Sequence, residues 1–115
     1  MAMEYFRQAV ALAKKEGPET VLYVVDSIGR AGEYALTMSL LFDYFGSPDT
    51  QLFIDAMGTA FNDQDFNLAL ATAADISHPT LRQRSYRAIA IQEIGSDDPV
   101  AVEKLLVDYY EVFGY

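Results

Sequence analysis

The densest local chemistry in this sequence is Arg82-Gln83-Arg84-Ser85-Tyr86-Arg87. Three of its eight Lys and Arg residues fall within six positions, in a chain that carries 17 Asp and Glu residues. A guanidinium group presents a planar fork of donors that fits a carboxylate with two parallel hydrogen bonds. At about 100° per residue, a helix sets Arg84 and Arg87 on neighbouring faces and gathers Arg82, Tyr86 and Glu93 on another stripe. The segment reads as an anion site in which Arg82, Arg84, Tyr86 and Arg87 receive a peptide carboxylate or an acidic segment. The plainer reading is internal ion pairing with Asp55, Asp75 or Glu93.

Other constellations carry less. Asp63-Gln64-Asp65-Phe66-Asn67 starts like a calcium loop, but Leu68 stands where the turn glycine belongs and Ala74 where the closing Glu belongs. A helix cap with an acidic first turn explains the same residues. His78 is the single histidine and no Cys is present, which removes multi-His and thiolate metal sites, a His-based triad beyond that one residue, and Cys nucleophiles. Its position before Pro79 suits a helix start. None of the serines sits in a Gly-x-Ser-x-Gly elbow. Gly29-Arg30-Ala31-Gly32 outlines a phosphate-contacting turn, yet one closing and one opening glycine account for it. Asp26, Asp43, Asp55 and Asp75 occur once per helix, as carboxylates on solvated faces do. The expectation is therefore no enzyme, no cofactor and no metal.

Composition narrows the partners. A formal net charge of −9 repels phosphate backbones and anionic lipid, which disfavours nucleic acid and membrane surfaces; it favours basic partners or simply solubility, and the expected partner is a protein or peptide. The longest apolar runs, Leu40-Leu41-Phe42 and Val21 to Val25, are far shorter than the ~20 residues of a membrane span. Met1-Ala2-Met3-Glu4-Tyr5-Phe6-Arg7 lacks the basic and apolar regions of a signal peptide, so a cytoplasmic protein is expected, as monomer or homodimer. At 115 residues the chain fits one domain, residues 1–115.

The elements that must position these residues are marked by their ends. Glu16-Gly17-Pro18-Glu19 closes one helix with a glycine and opens the next with proline. Gly46-Ser47-Pro48-Asp49 repeats this punctuation with Ser47 as N-cap, followed by Ser77-His78-Pro79-Thr80 and Gly95-Ser96-Asp97-Asp98-Pro99. Asn62-Asp63 supplies a softer break. Between these marks the apolar spacing is i, i+3, i+4, i+7: Phe6, Ala9, Val10, Ala13; Phe53, Ala56, Met57, Ala60; Phe66, Ala69, Leu70, Ala73; and Val102, Leu105, Leu106, Tyr109. The marks predict helices over 2–16, 18–29, 32–45, 48–61, 64–76, 79–94 and 99–113. Val21 to Val25 is also strand material, but its caps and the lack of a partner strand favour helix. Apolar groups all round residues 32–45 place that helix centrally. The polar sides of the first helix (Arg7, Gln8, Lys14, Lys15) and the last (Lys104, Asp108, Glu111) suit the ends of a stack. The aromatic tail Tyr109, Tyr110, Phe113 and Tyr115 reads as cover for the last hairpin. The fold class is all-α, about seven antiparallel helices forming a short α-solenoid or bundle.

Two stretches share one design. Ala56-Met57-Gly58-Thr59-Ala60-Phe61, a turn, then Phe66 to Ala73 is one; Tyr86-Arg87-Ala88-Ile89-Ala90, Gly95, then Asp98 to Val102 is the other. Both resemble a tetratricopeptide-type or HEAT-type helical hairpin, a likeness that covers about half of the chain and lacks the tetratricopeptide Trp. The resemblance implies a protein-binding scaffold without catalytic residues. The expected function is a non-enzymatic interaction module, a right-handed stack of hairpins that takes a protein segment on one face. The alternative is a small acidic inhibitor or immunity-type protein that blocks a basic site by charge complementarity.

Overall fold

The computed structural model describes residues 2–114, apart from the side chains of residues 2, 3, 5 and 6. Its helices are α1 (Ala2–Lys14), α2 (Pro18–Arg30), α3 (Tyr34–Phe45), α4 (Ser47–Gly58), α5 (Phe66–Ala74), α6 (Pro79–Ile94) and α7 (Pro99–Phe113). A π-helical turn, Thr59–Asp63, continues α4. No strand occurs among the described residues, so the protein is all-α and Val21 to Val25 is helical.

The expected ends are mostly where the sequence marks them. Gly17 holds φ at 118°, a conformation closed to most L residues, and Pro18 then starts α2 at a position where its missing N–H costs nothing. Gly95 ends α6 in the left-handed region at φ 78°. Two ends differ. Ser47 is the first residue of α4 rather than its cap. The Asn62-Asp63 break falls inside the π-turn, and the chain reverses at Gln64, the one described non-glycine with positive φ (54°). Asp65 then caps α5, its carboxylate accepting from the Leu68 N–H at 3.2 Å. The wider turn shortens α5 from the expected 64–76.

The chain forms two compact units, Met1–Ser47 and Pro48–Tyr115. In the first, α2 packs against both α1 and α3. Val21, Leu22, Val25 and Ile28 of α2 are buried, as are Val10 and Ala13 of α1. The Phe6 member of the expected α1 stripe lies outside the described side chains. Leu36, Leu40, Leu41 and Phe45 of α3 are buried, but Ser39 and Asp43 are exposed and Tyr34 is 70% exposed. Within this unit the middle helix is therefore α2, not α3. Apolar composition all round α3 includes Tyr34, whose ring stem tolerates water through its hydroxyl end.

In the second unit α5, α6 and α7 pack on one another, and the π-turn packs on α5 and α6. The core runs along α6: Leu81, Ser85, Tyr86, Ile89 and Ala90 are all 0% exposed. The Ser85 hydroxyl donates to the Leu81 carbonyl at 2.8 Å, so its burial leaves no donor unmet. Ala69 and Ala73 of α5, with Val102, Leu106 and Tyr109 of α7, complete the apolar contacts. Each fully buried aliphatic side chain of this kind contributes about 1.5–3 kcal/mol.

Candidate functional site

The arginine segment comes first. In α6 its four residues point to different surroundings. Arg82 is half-buried and donates through Nη1 to the Ile76 carbonyl at 3.0 Å, bracing the turn that leads into its own helix. Arg87 is exposed and reaches Glu103 of α7 at 2.7 Å, a surface ion pair between consecutive helices. Arg84 is half-buried. Tyr86 lies wholly inside the second unit, its ring 6.3 Å from Tyr109 and 5.9 Å from Tyr110 between centroids. Burial pushes the Tyr86 phenol up, against the opposing charge of Arg82.

This corrects one part of the expected anion site. Tyr86 offers no face to a ligand, because it sits four residues after Arg82 and one after Ser85, on the stripe that forms the α6 core. Arg82 and Arg87 act as braces toward different neighbours and do not converge on a common point. The pairing of Arg87 is with Glu103 rather than with the expected Asp55, Asp75 or Glu93.

A second polar cluster joins α4 to the turn before α6. Asp49 is 6% exposed, and its carboxylate accepts from the Ser77 N–H at 2.8 Å, from the Ser77 hydroxyl at 2.9 and 2.8 Å, and from the His78 N–H at 3.2 Å. Burial opposes the charge, but the Ser77 and His78 donors and the nearby His78 ring outweigh it and hold the carboxyl below its ordinary value. This is a structural clasp, since every carboxylate bond ends on the turn it secures. Across the unit, the buried Tyr109 hydroxyl donates to the Glu93 carboxylate. Burial first, then that bond and the Glu93 charge, push the Tyr109 phenol up. Tyr109 thus covers the last hairpin; Tyr115 of the aromatic tail lies outside the described residues. No group of three or more His, Asp or Glu among the described residues is placed to hold a metal ion. Asp65, from the calcium-like run, serves as the α5 cap.

An open cleft lies in the first unit. Three-residue connections reverse the chain on either side of α2, so α1 and α3 both lie against α2 and leave a cleft between them. Its volume is about 230 Å³. Arg7, Val10, Ala11 and Lys14 form one wall and Leu36, Ser39, Leu40 and Asp43 the other. Each set follows i, i+3, i+4, i+7, the stripe one helix presents to another. Val10, Leu36 and Leu40 are buried and form the floor. Arg7, Lys14, Ser39 and Asp43 are exposed on the rim. Neither Arg7 nor Lys14 forms an ion pair among the described residues, and Asp43 on the opposite rim is beyond pairing distance of both.

Sequence reading placed Arg7 and Lys14 on a solvated polar face and did not find the cleft. The stripe is visible in both helices, but which stripes face each other is decided by how both dock on α2. No helix among the described residues is long and apolar enough to cross a membrane. No known family model matches the chain, and no curated protein or solved structure is measurably similar to it.

Proposed function

We propose that this protein is a non-enzymatic interaction module, a helical-hairpin scaffold of tetratricopeptide-like or HEAT-like design that binds a protein segment. The observation that carries this reading is the α1–α3 cleft, an apolar floor of Val10, Leu36 and Leu40 under a charged rim. Helix α2 packs on α1 and α3 in the first unit and α6 on α5 and α7 in the second, and α5 also meets α7, as neighbouring hairpins do in helical stacks. Such stacks leave grooves between alternate helices, and a groove with apolar anchors and few polar groups suits the side chains of a peptide. Selection of displayed random peptides on the full chain, followed by amide chemical-shift mapping, tests the reading. Selected peptides should perturb Val10, Leu36, Ser39 and Leu40 first. Failure to enrich any peptide, or shifts confined to other helices, would contradict it.

A second reading, the acidic inhibitor of a basic site, draws on the charge distribution. Residues 1–47 carry six acidic and four basic side chains, whereas residues 48–115 carry eleven acidic and four basic ones. Charge blocking by the second unit collapses at high ionic strength, while binding through apolar anchors persists.

A further inference from the structure

We infer that the α1–α3 cleft selects an acidic segment with an apolar anchor, its carboxylate held by Arg7 and Lys14 and its apolar side chain seated on Val10, Leu36 and Leu40. The inference rests on the interaction-module reading and adds the chemistry of the partner. Arg7 and Lys14 are seven residues apart on one helix, about 10 Å along the axis. Two cations at that spacing flank the wall without meeting each other, and a carboxylate between or beside them gains charge-assisted hydrogen bonds. Both are exposed and lack an ion-pair partner among the described residues, so a ligand displaces no internal pair.

The protein as a whole repels acids, which makes the local balance decisive. The first unit is close to neutral, with six acidic and four basic residues, and most of the excess negative charge belongs to residues 48–115. At physiological salt, exposed charges more than about 8 Å away are largely screened. Among the residues that line the cleft, Arg7 and Lys14 are the cations and Asp43 the carboxylate.

Asp43 sets the orientation. It stands on the α3 rim, where it disfavours a second carboxylate and leaves the acidic group only the α1 side. The floor adds what charge alone does not: Val10, Leu36 and Leu40 are buried at 2%, 6% and 8% exposure, and only their edges form a small apolar base to the cleft. A cleft of about 230 Å³ has room for one large aliphatic or aromatic side chain and its flanking backbone.

The test uses the full chain and two fluorescein-labelled peptides, one alternating Glu with Leu and one alternating Gln with Leu, read by fluorescence anisotropy and amide shift mapping. The Glu peptide should shift Val10, Leu36, Ser39 and Leu40 and bind at least tenfold tighter than the Gln peptide. Arg7→Ala with Lys14→Ala should erase that preference while the melting temperature stays within a degree or two, since both side chains are exposed. Asp43→Asn should tighten the Glu peptide severalfold. Equal occupancy of the cleft by both peptides would overturn the acidic preference and leave the interaction module standing. If neither peptide occupies the cleft, or if binding survives the double substitution with shifts elsewhere, the choice of this cleft as the binding site fails as well.

Discussion

The Asp49 carboxylate is held by both donors of Ser77, the N–H at 2.8 Å and the hydroxyl, whose one proton is shared between the two oxygens at 2.9 and 2.8 Å. With the His78 N–H as a third donor, one carboxylate in the first turn of α4 fixes the turn that launches α6. Replacing Asp49 with Asn keeps the shape but sets an amide NH₂ against these donors. Asp49→Asn should cost about 1–3 kcal/mol at neutral pH, measured by denaturant titration. A loss below about 0.5 kcal/mol would show the clasp to be dispensable.

The same carboxylate sets a pH dependence. Its folded value lies below the ordinary one, so its contribution is fully present above about pH 4 and is lost as pH falls through the depressed folded value. The stability gap between the native chain and Asp49→Asn should therefore be constant from pH 7 to about 5 and narrow below about pH 4. Thermal melts across that range check it. A gap that widens on acidification would reverse the sign and contradict the assignment.

Tyr86 separates core from surface. Its ring is fully buried, while its hydroxyl has no hydrogen-bond partner among the described residues. Tyr86→Phe removes a buried donor that gains little, so stability should change by less than about 1 kcal/mol or rise. Tyr86→Ala should cost about 3–5 kcal/mol, because truncating an enclosed ring leaves a cavity. Calorimetry on both variants decides. A mild Tyr86→Ala and a severe Tyr86→Phe would mean the ring is accessible and its hydroxyl engaged.

Most of the fold was legible because its boundaries are chemical. Pro18, Pro79 and Pro99 open three helices, Gly17 and Gly95 close two, and the stripes through Ala56, Ala69 and Val102 bury most of their members, with Phe53, Met57, Phe66 and Leu105 half-buried. The π-turn after Gly58 was not legible, because an i→i+5 turn has no residue signature comparable to a proline or a glycine. In the sequence Asp49 is part of a helix boundary; its three donors come from 28 and 29 residues away. The arginine segment misled for a related reason. Charge clustering in sequence does not survive the helical twist: Arg82, Tyr86 and Arg87 face a turn, the core and α7. The cleft was hidden because which stripes of α1 and α3 face each other is decided by how both helices dock on α2.

Gly58 offers a gain rather than a loss. Its backbone is helical (φ −60°, ψ −43°), and an added Cβ would meet nothing within 4 Å. Gly58→Ala should stabilise by about 0.5–1 kcal/mol through reduced backbone freedom in the unfolded chain. A lowered denaturation midpoint would mean that the π-turn after it depends on glycine.

The central claim is that the cleft between α1 and α3 is where a protein segment binds. Ser39 is exposed on its α3 wall, so a large ring there plugs the cleft without disturbing Val10, Leu36 or Leu40 beneath it. Anisotropy titration of Ser39→Trp with a peptide selected on the native chain is the most direct measurement. The account predicts at least a tenfold rise in Kd with the melting temperature unchanged. An unaltered Kd in a correctly folded Ser39→Trp protein would contradict it.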